Sequence, residues 1–328
     1  MSGPRRRRWR LALRLAFVLA VAAGVAFALA DQWHDVATRL SRLSAPYAVG
    51  AFGCFAAGLW FSMLAWRAVL ADLGSPLPAG AAARVFFVGQ LGKYLPGSVW
   101  PAVAQAEMGA DLGVPRSRSV AAYLIATGVS VVTGAVVGVM ALPALLSGAG
   151  GVYAWALLAA PAGVLMLHPR VLNPLLRKAF SLLRRPPLEE PLTGRGMLTA
   201  GALYVVTWLA FGGQAALLAG DIGSLHVHES PLAIGGYALA VVVGLLVVPL
   251  PAGAGVREAV LVVVLRTVMP TPAATAVAVV SRVVVTLCDL ALAAGAALAV
   301  RRSRRPAGGS QDATPTAQPG GTTTRRLP

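Results

Sequence analysis

Charge is scarce in this chain, and lysine is nearly missing. Only 12% of the 328 residues are Asp, Glu, Lys or Arg, against roughly 25% in a soluble domain. The only lysines are Lys93 and Lys178. So little charge excludes a soluble globular protein of this length. Cysteine is almost as rare. Cys54 and Cys288 both lie in apolar runs, which excludes a disulfide framework and a thiolate metal centre. The four histidines, His34, His168, His226 and His228, fall in predicted loops. His226 and His228 flank Val227 beside Glu229, and a solvated loop accounts for them better than a metal site does. There is no G-x-S-x-G elbow, P-loop, H-E-x-x-H or dinucleotide fingerprint, so no cofactor, metal or nucleotide is expected.

What the chain does have is hydrocarbon. Hydrophobic residues make up 57% of it, and the mean hydropathy is +0.72. This predicts an all-α fold, a polytopic integral membrane helical bundle. The net charge of +16 could point to nucleic acid, but its placement does not. The arginines crowd the two ends and one central loop, as the positive-inside rule requires of a membrane protein.

Along the chain, Arg5–Arg8 and Arg10 anchor a basic cytoplasmic N-terminus over residues 1–10. Plain spans are expected at 11–30, 45–70, 119–146, 152–167, 197–220 and 232–248. Ala30-Asp31 could be a signal-peptidase junction, but the apolar run is longer than that of a signal peptide. A broken seventh span at 256–268 and a final helix at 273–300 bring the total to about eight crossings. Residues 170–183 read as a basic amphipathic helix on anionic headgroups. Gly134-x-x-x-Gly138 is a close-packing signal in the third span. The transmembrane domain is expected over 11–300, and 301–328 as a disordered cytoplasmic tail.

Two stretches break the pattern. Residues 84–113 hold Gly89, Gly92, Pro96, Gly97 and Pro101, with Lys93, Gln105 and Glu107 among apolar neighbours. This reads as a short helix in, a loop and a short helix back. A surface helix with Tyr94 and Trp100 in an aromatic belt is the other reading. The second stretch is Val248–Ala259, V-P-L-P-A-G-A-G-V-R-E-A, where two prolines and two glycines precede Arg257 and Glu258. In lipid, every freed backbone group needs a partner inside the protein or in a wet cavity. A broken segment carrying Arg and Glu is therefore a binding-site hypothesis, and a turn at headgroup level is its bland counterpart. Paired breaks in opposite halves are also what an inverted-repeat transporter shows.

The last helix carries Arg282, Thr286 and Asp289 on one face. Arg282 lies about 15 Å into that helix. A lone Arg there costs at least about 2.5–3.5 kcal/mol, so it should pair with Asp289 or Glu258. Either a structural ion pair or a headgroup site results. In the second case Lys93, Arg257 and Arg282 contact phosphate, while Glu107, Glu258 and Asp289 balance charge.

P-A-G-A-G-V-R-E-A at Pro251–Ala259 resembles the P-G-G-x-G-x-x-E signature of the membrane domain of lysylphosphatidylglycerol synthases, which also occurs alone in flippase-like proteins. G-K-Y-L-P-G-S-V-W at Gly92–Trp100 resembles the first-half motif of that family, and the late helix with Arg282 fits as well. The resemblance covers most of residues 11–300. Ala252 and Ala254 depart from the glycine-rich pattern. The resemblance implies re-entrant helices that move or present a phospholipid, with Lys93, Tyr94, Pro96, Gly97 and Trp100 in one motif. Pro251, Gly253, Gly255, Arg257 and Glu258 belong to the other. In two-domain members a soluble aminoacyl transferase follows; only a short tail follows Val300 here, so aminoacylation is not expected. The expected partners are membrane lipids, an anionic phospholipid or a polyprenyl phosphate, in a bacterial cytoplasmic membrane with both termini inside. A membrane-embedded transferase using Glu107 or Glu258 on a lipid-linked substrate is the alternative.

Overall fold

In a computed structural model, residues 43–94, 99–142, 168–182, 190–246 and 255–303, with Thr38, Leu165 and Gly253, are described. They form nine α-helices and no strand. Residues 1–37 with the expected span at 11–30, the expected span at 152–167 apart from Leu165, and the tail from 304 lie outside the described residues. So do Pro96, Gly97, Pro251, His34 and the Ala30-Asp31 junction, and with them the count of about eight crossings. Among the described residues, five helical runs are long and apolar enough to cross a bilayer, and each coincides with an expected span.

The frame is a pair of long antiparallel helices, α1 (Ala45–Asp72) and α6 (Gly194–Gly223). A staple holds each end. Asp72 at the end of α1 accepts from the Thr193 backbone N–H at 2.7 Å and from its hydroxyl at 2.6 Å. At the other end Asp221 accepts from the N–H and hydroxyl of Ser44, at 2.8 and 3.0 Å. Between the staples Gly58 lies against Phe211, and Phe55 stacks on the same ring at 4.4 Å. The missing side chain at Gly58 is what lets the two backbones approach this closely.

Two further spans complete the wall. Helix α4 (Arg116–Gly138), extended by a 3-10 turn to Ala141, packs on α6 and on α7 (Ser230–Leu246). The Gly134-x-x-x-Gly138 face makes that contact: Gly134 meets Trp208 and Val242, and Gly138 meets Leu239. Helix α9 (Thr271–Ser303) packs against α1 and α6, where the Ser281 hydroxyl donates to buried Gln214 at 3.2 Å. Cys54 and Cys288 are free thiols.

Two helical hairpins enter this frame from opposite ends. The first is α2 (Ala79–Gln90), a 3-10 turn over Leu91–Tyr94, and α3 (Trp100–Ala110). Its open end sits beside the Asp72 staple, where Arg67 Nε donates to the Leu77 carbonyl at 2.6 Å and Gly109 meets Ser119. Its arms touch through glycine: Gly89 lies on Gln105, and Gly92 on the backbone of Trp100 and Pro101. The second hairpin is α7 and α8 (Val256–Leu265), with Gly236 on Val264 and Gly244 on Gly253 and Arg257. It opens toward the other end, where α7 begins against Ala141 and Met269, just past α8, meets Gly223. At 10 residues, α8 is about 15 Å long, half of a bilayer core. Its first residues therefore lie inside the bundle rather than at a surface.

Helix α5 (Pro169–Leu182) covers the expected amphipathic segment. Leu172 and Leu176 pack on the core, while Val171, Leu175 and Leu182 stay exposed. Asn173 fastens it by exchanging bonds of 2.9 Å with the backbone N–H and carbonyl of Leu192.

Candidate functional site

The tips of both hairpins converge on the middle of α9. Helix α8 begins at Gly255, whose φ of +84° follows +65° at Gly253. L side chains avoid both conformations, so glycine is needed for the chain to enter α8 in this way. Glu258 then turns back on the break and accepts from the Gly255 N–H at 2.7 Å. A carboxylate here satisfies a free donor and complements the positive end of the helix. Its other oxygen lies 3.6 Å from Arg282 Nη1.

The neighbouring Arg257 takes a different partner. Its guanidinium lies over the Tyr237 ring, 4.6 Å from the centroid, and donates to the hydroxyl of that tyrosine. Among the described residues no carboxylate comes within ion-pair distance of it. A tyrosine face and hydroxyl can orient a guanidinium without neutralising it.

Asp289 is the meeting point of the other tip. It is 2% exposed, and Lys93 Nζ lies 2.7 Å from its Oδ2. The Tyr94 hydroxyl donates to the same oxygen at 2.6 Å. The Tyr94 ring in turn lies within 6.0 Å of the Arg282 guanidinium. Arg282 and Asp289 thus share one face but take separate partners. Two helical turns separate them by about 10 Å, too far for direct contact, and each is met by a hairpin instead.

These groups border a cavity of about 210 Å³. Lys93, Arg257 and Arg282 line it, with Tyr237, Gln90 and Gly253. Glu258 and Asp289 do not; they stand behind the cations. Three cations against two carboxylates leave one positive charge uncompensated in the cluster. The opposite wall comes from α1, α4 and α6: Ser62, Tyr123, Thr127, Ser130, Tyr204 and Trp208. No local pattern marks any of these wall residues, each being a single polar or aromatic group in an apolar run. Tyr237 escaped the sequence reading for the same reason.

The sequence-derived site residues therefore divide. Lys93, Gly253, Arg257 and Arg282 line the cavity, and Tyr94, Gly255, Glu258 and Asp289 hold them in place. Trp100 starts α3 and is 45% exposed, outside the cavity. Glu107 is not brought to the cluster. It lies near the far end of α3, exposed, and binds Arg116 through two bonds of 2.9 and 2.7 Å. That guanidinium holds the Glu107 carboxyl below the ordinary glutamate range. Neither carboxylate that a transferase would use, Glu107 or Glu258, faces the cavity.

No curated protein matches the chain. The family model of the lysylphosphatidylglycerol synthase TM region matches residues 11–293, both hairpins included. With that match over most of its length and its long apolar helices, this multi-pass membrane protein belongs to the lysylphosphatidylglycerol synthase TM region family.

Proposed function

We propose that the chain binds the phosphate of a membrane lipid between its two hairpins and moves that lipid across a bacterial cytoplasmic membrane without hydrolysing a nucleotide. One observation carries the reading: Lys93, Arg257 and Arg282, from three segments, line one cavity while the two carboxylates paired with Lys93 and Arg282 stand behind them. Burying three cations around a hole is costly unless an anion enters it. Arg forks suit phosphate oxygens and Lys adds a point charge. The ligand class is an anionic phospholipid or a polyprenyl phosphate, its chains left among the apolar helices. Hairpins entering from opposite ends, with a shared site at their tips, suit alternating exposure of that site.

The test is lipid binding by the purified chain in neutral phosphatidylcholine nanodiscs. Arg282→Ala should weaken binding of an anionic lipid by at least about tenfold, the worth of one charge-assisted hydrogen bond. Insertion into the membrane should not change. Undiminished binding by the variant removes Arg282 from the site. Failure of the parent chain to prefer an anionic phosphate lipid over the phosphatidylcholine of the disc removes the proposal.

A further inference from the structure

One face of α4 carries Tyr123, Thr127 and Ser130, spaced four and then three residues apart. All three line the cavity on the wall opposite the cations, joined by Ser62 of α1 and Tyr204 of α6. Each of these residues ends in a hydroxyl and none in a charge. We infer that this wall is a headgroup subsite for uncharged hydroxyls, so that the lipid is a phosphodiester whose headgroup is a small polyol rather than an amine. The inference rests on the phosphate reading of the cavity and adds what lies beyond the phosphate.

The hydroxyls come in touching pairs. Tyr204 meets Ser62, and Tyr123 meets Thr127. A hydroxyl offers one hydrogen and two lone pairs. One bond within a pair uses one hydrogen and one lone pair, so each pair keeps a second hydrogen and spare lone pairs. A polyol matches such a pair, because its own hydroxyls donate and accept in turn. Pairing alone explains how hydroxyls stand in an apolar bundle, where one without a partner is costly. It does not explain why both pairs, from three helices, face the same cavity as three cations.

An amine headgroup fits this wall poorly. The cluster of Lys93, Arg257 and Arg282 with Glu258 and Asp289 already carries one excess positive charge, which a phosphodiester neutralises. An ammonium on the same ligand restores the excess, and among the described residues no carboxylate lines the cavity to receive it. Nor do the aromatic rings form a cage of the kind that holds a cation. Trp208 is 3% and Tyr204 4% exposed. The Trp208 ring packs on Gly134 and Phe211, and its Nε1 donates to the Ser130 carbonyl at 2.9 Å.

The experiment titrates the full chain in phosphatidylcholine nanodiscs with short-chain phosphatidylglycerol, phosphatidylpropanol and phosphatidylethanolamine. The first two carry the same phosphodiester charge and differ only by the glycerol hydroxyls. Phosphatidylglycerol should bind about tenfold tighter than phosphatidylpropanol, the worth of about one hydrogen bond, and the ethanolamine lipid should bind weakest. Tyr123→Phe, which removes a hydroxyl and keeps the ring, should bring the ratio of the two anionic affinities toward one. A ratio unchanged in that variant, with both affinities shifting together, is what packing alone gives and overturns the subsite. Equal binding of the two anionic lipids by the parent chain overturns the headgroup inference and leaves the phosphate reading standing. An ethanolamine lipid bound as tightly as phosphatidylglycerol also overturns the headgroup inference. No preference for either anionic lipid over phosphatidylcholine overturns both. Thr127→Val repeats the test if Tyr123→Phe does not fold, and the parent comparison decides in either case.

Discussion

Three cations around one cavity divide by how each is held. Lys93 is paired with Asp289, Arg282 with Glu258, and Arg257 with the neutral Tyr237. Arg257 is therefore the charge least compensated from within, and Arg257→Gln should reduce anionic-lipid binding by about tenfold or more. A binding isotherm in nanodiscs reads it, and an unchanged isotherm would refute it. Glu107→Gln should leave that binding unaltered, because Glu107 is exposed on Arg116. Its carboxyl is depressed in the folded chain. The contribution of the pair is thus present above the ordinary glutamate range and is lost as the pH falls through the lowered value. A melting curve of Glu107→Gln across that acid range should lack this step. At the break, Gly253→Ala meets both a φ of +65° and the Gly244 carbonyl oxygen at 2.9 Å from the added Cβ. A loss of about 1–2 kcal/mol is expected from the backbone alone, measurable as a lower Tm. The position of Arg282 on a polar helix face was legible in the sequence. Its partner was not, since Glu258 and Asp289 were equal candidates until the fold set their distances.

At the scale of elements, the hairpins were readable as interruptions. Proline and glycine within apolar runs announce that a helix stops, and the stops fell where expected. Which glycines hold the arms together could not be read, because closeness across a turn is a property of two segments. Gly92 illustrates this: an added Cβ would lie 2.7 Å from the Pro101 nitrogen and 2.8 Å from the Trp100 carbonyl carbon. Backbone cannot yield as a side-chain tip can. Gly92→Ala should therefore spread the first hairpin, cost about 1–3 kcal/mol and draw Lys93 away from Asp289. The expected readout is a lower Tm together with weaker lipid binding; a variant matching the parent in both would show that the turn tolerates the methyl group. Gly134 marks a contact without bearing on the site. Leucine there would collide with Trp208 and Val242, and its effect should appear in stability well before it appears in ligand affinity.

Over the whole molecule, two staples hold the long pair α1 and α6 at opposite ends, through Asp72 with Thr193 and Asp221 with Ser44. Helix α6 has 30 residues and is about 45 Å long, so the staples are far apart. Asp72→Ala and Asp221→Ala should each cost about 1–2 kcal/mol, and the double variant their sum within about 0.5 kcal/mol. A double variant departing widely from additivity would mean that the ends communicate. The sequence by itself determined that this chain lives in a membrane, where the long apolar helices among the described residues lie, and that polar groups are stranded at two breaks. Those are consequences of hydrophobic length and backbone chemistry, which neighbouring residues decide among themselves. Only the tertiary structure decided that the breaks face each other across α9, that Lys93 meets Asp289 and Glu258 meets Arg282, and that Glu107 stands apart. Such pairings join residues far apart in the chain, and they follow from how α1, α6 and α9 pack, which no local stretch encodes.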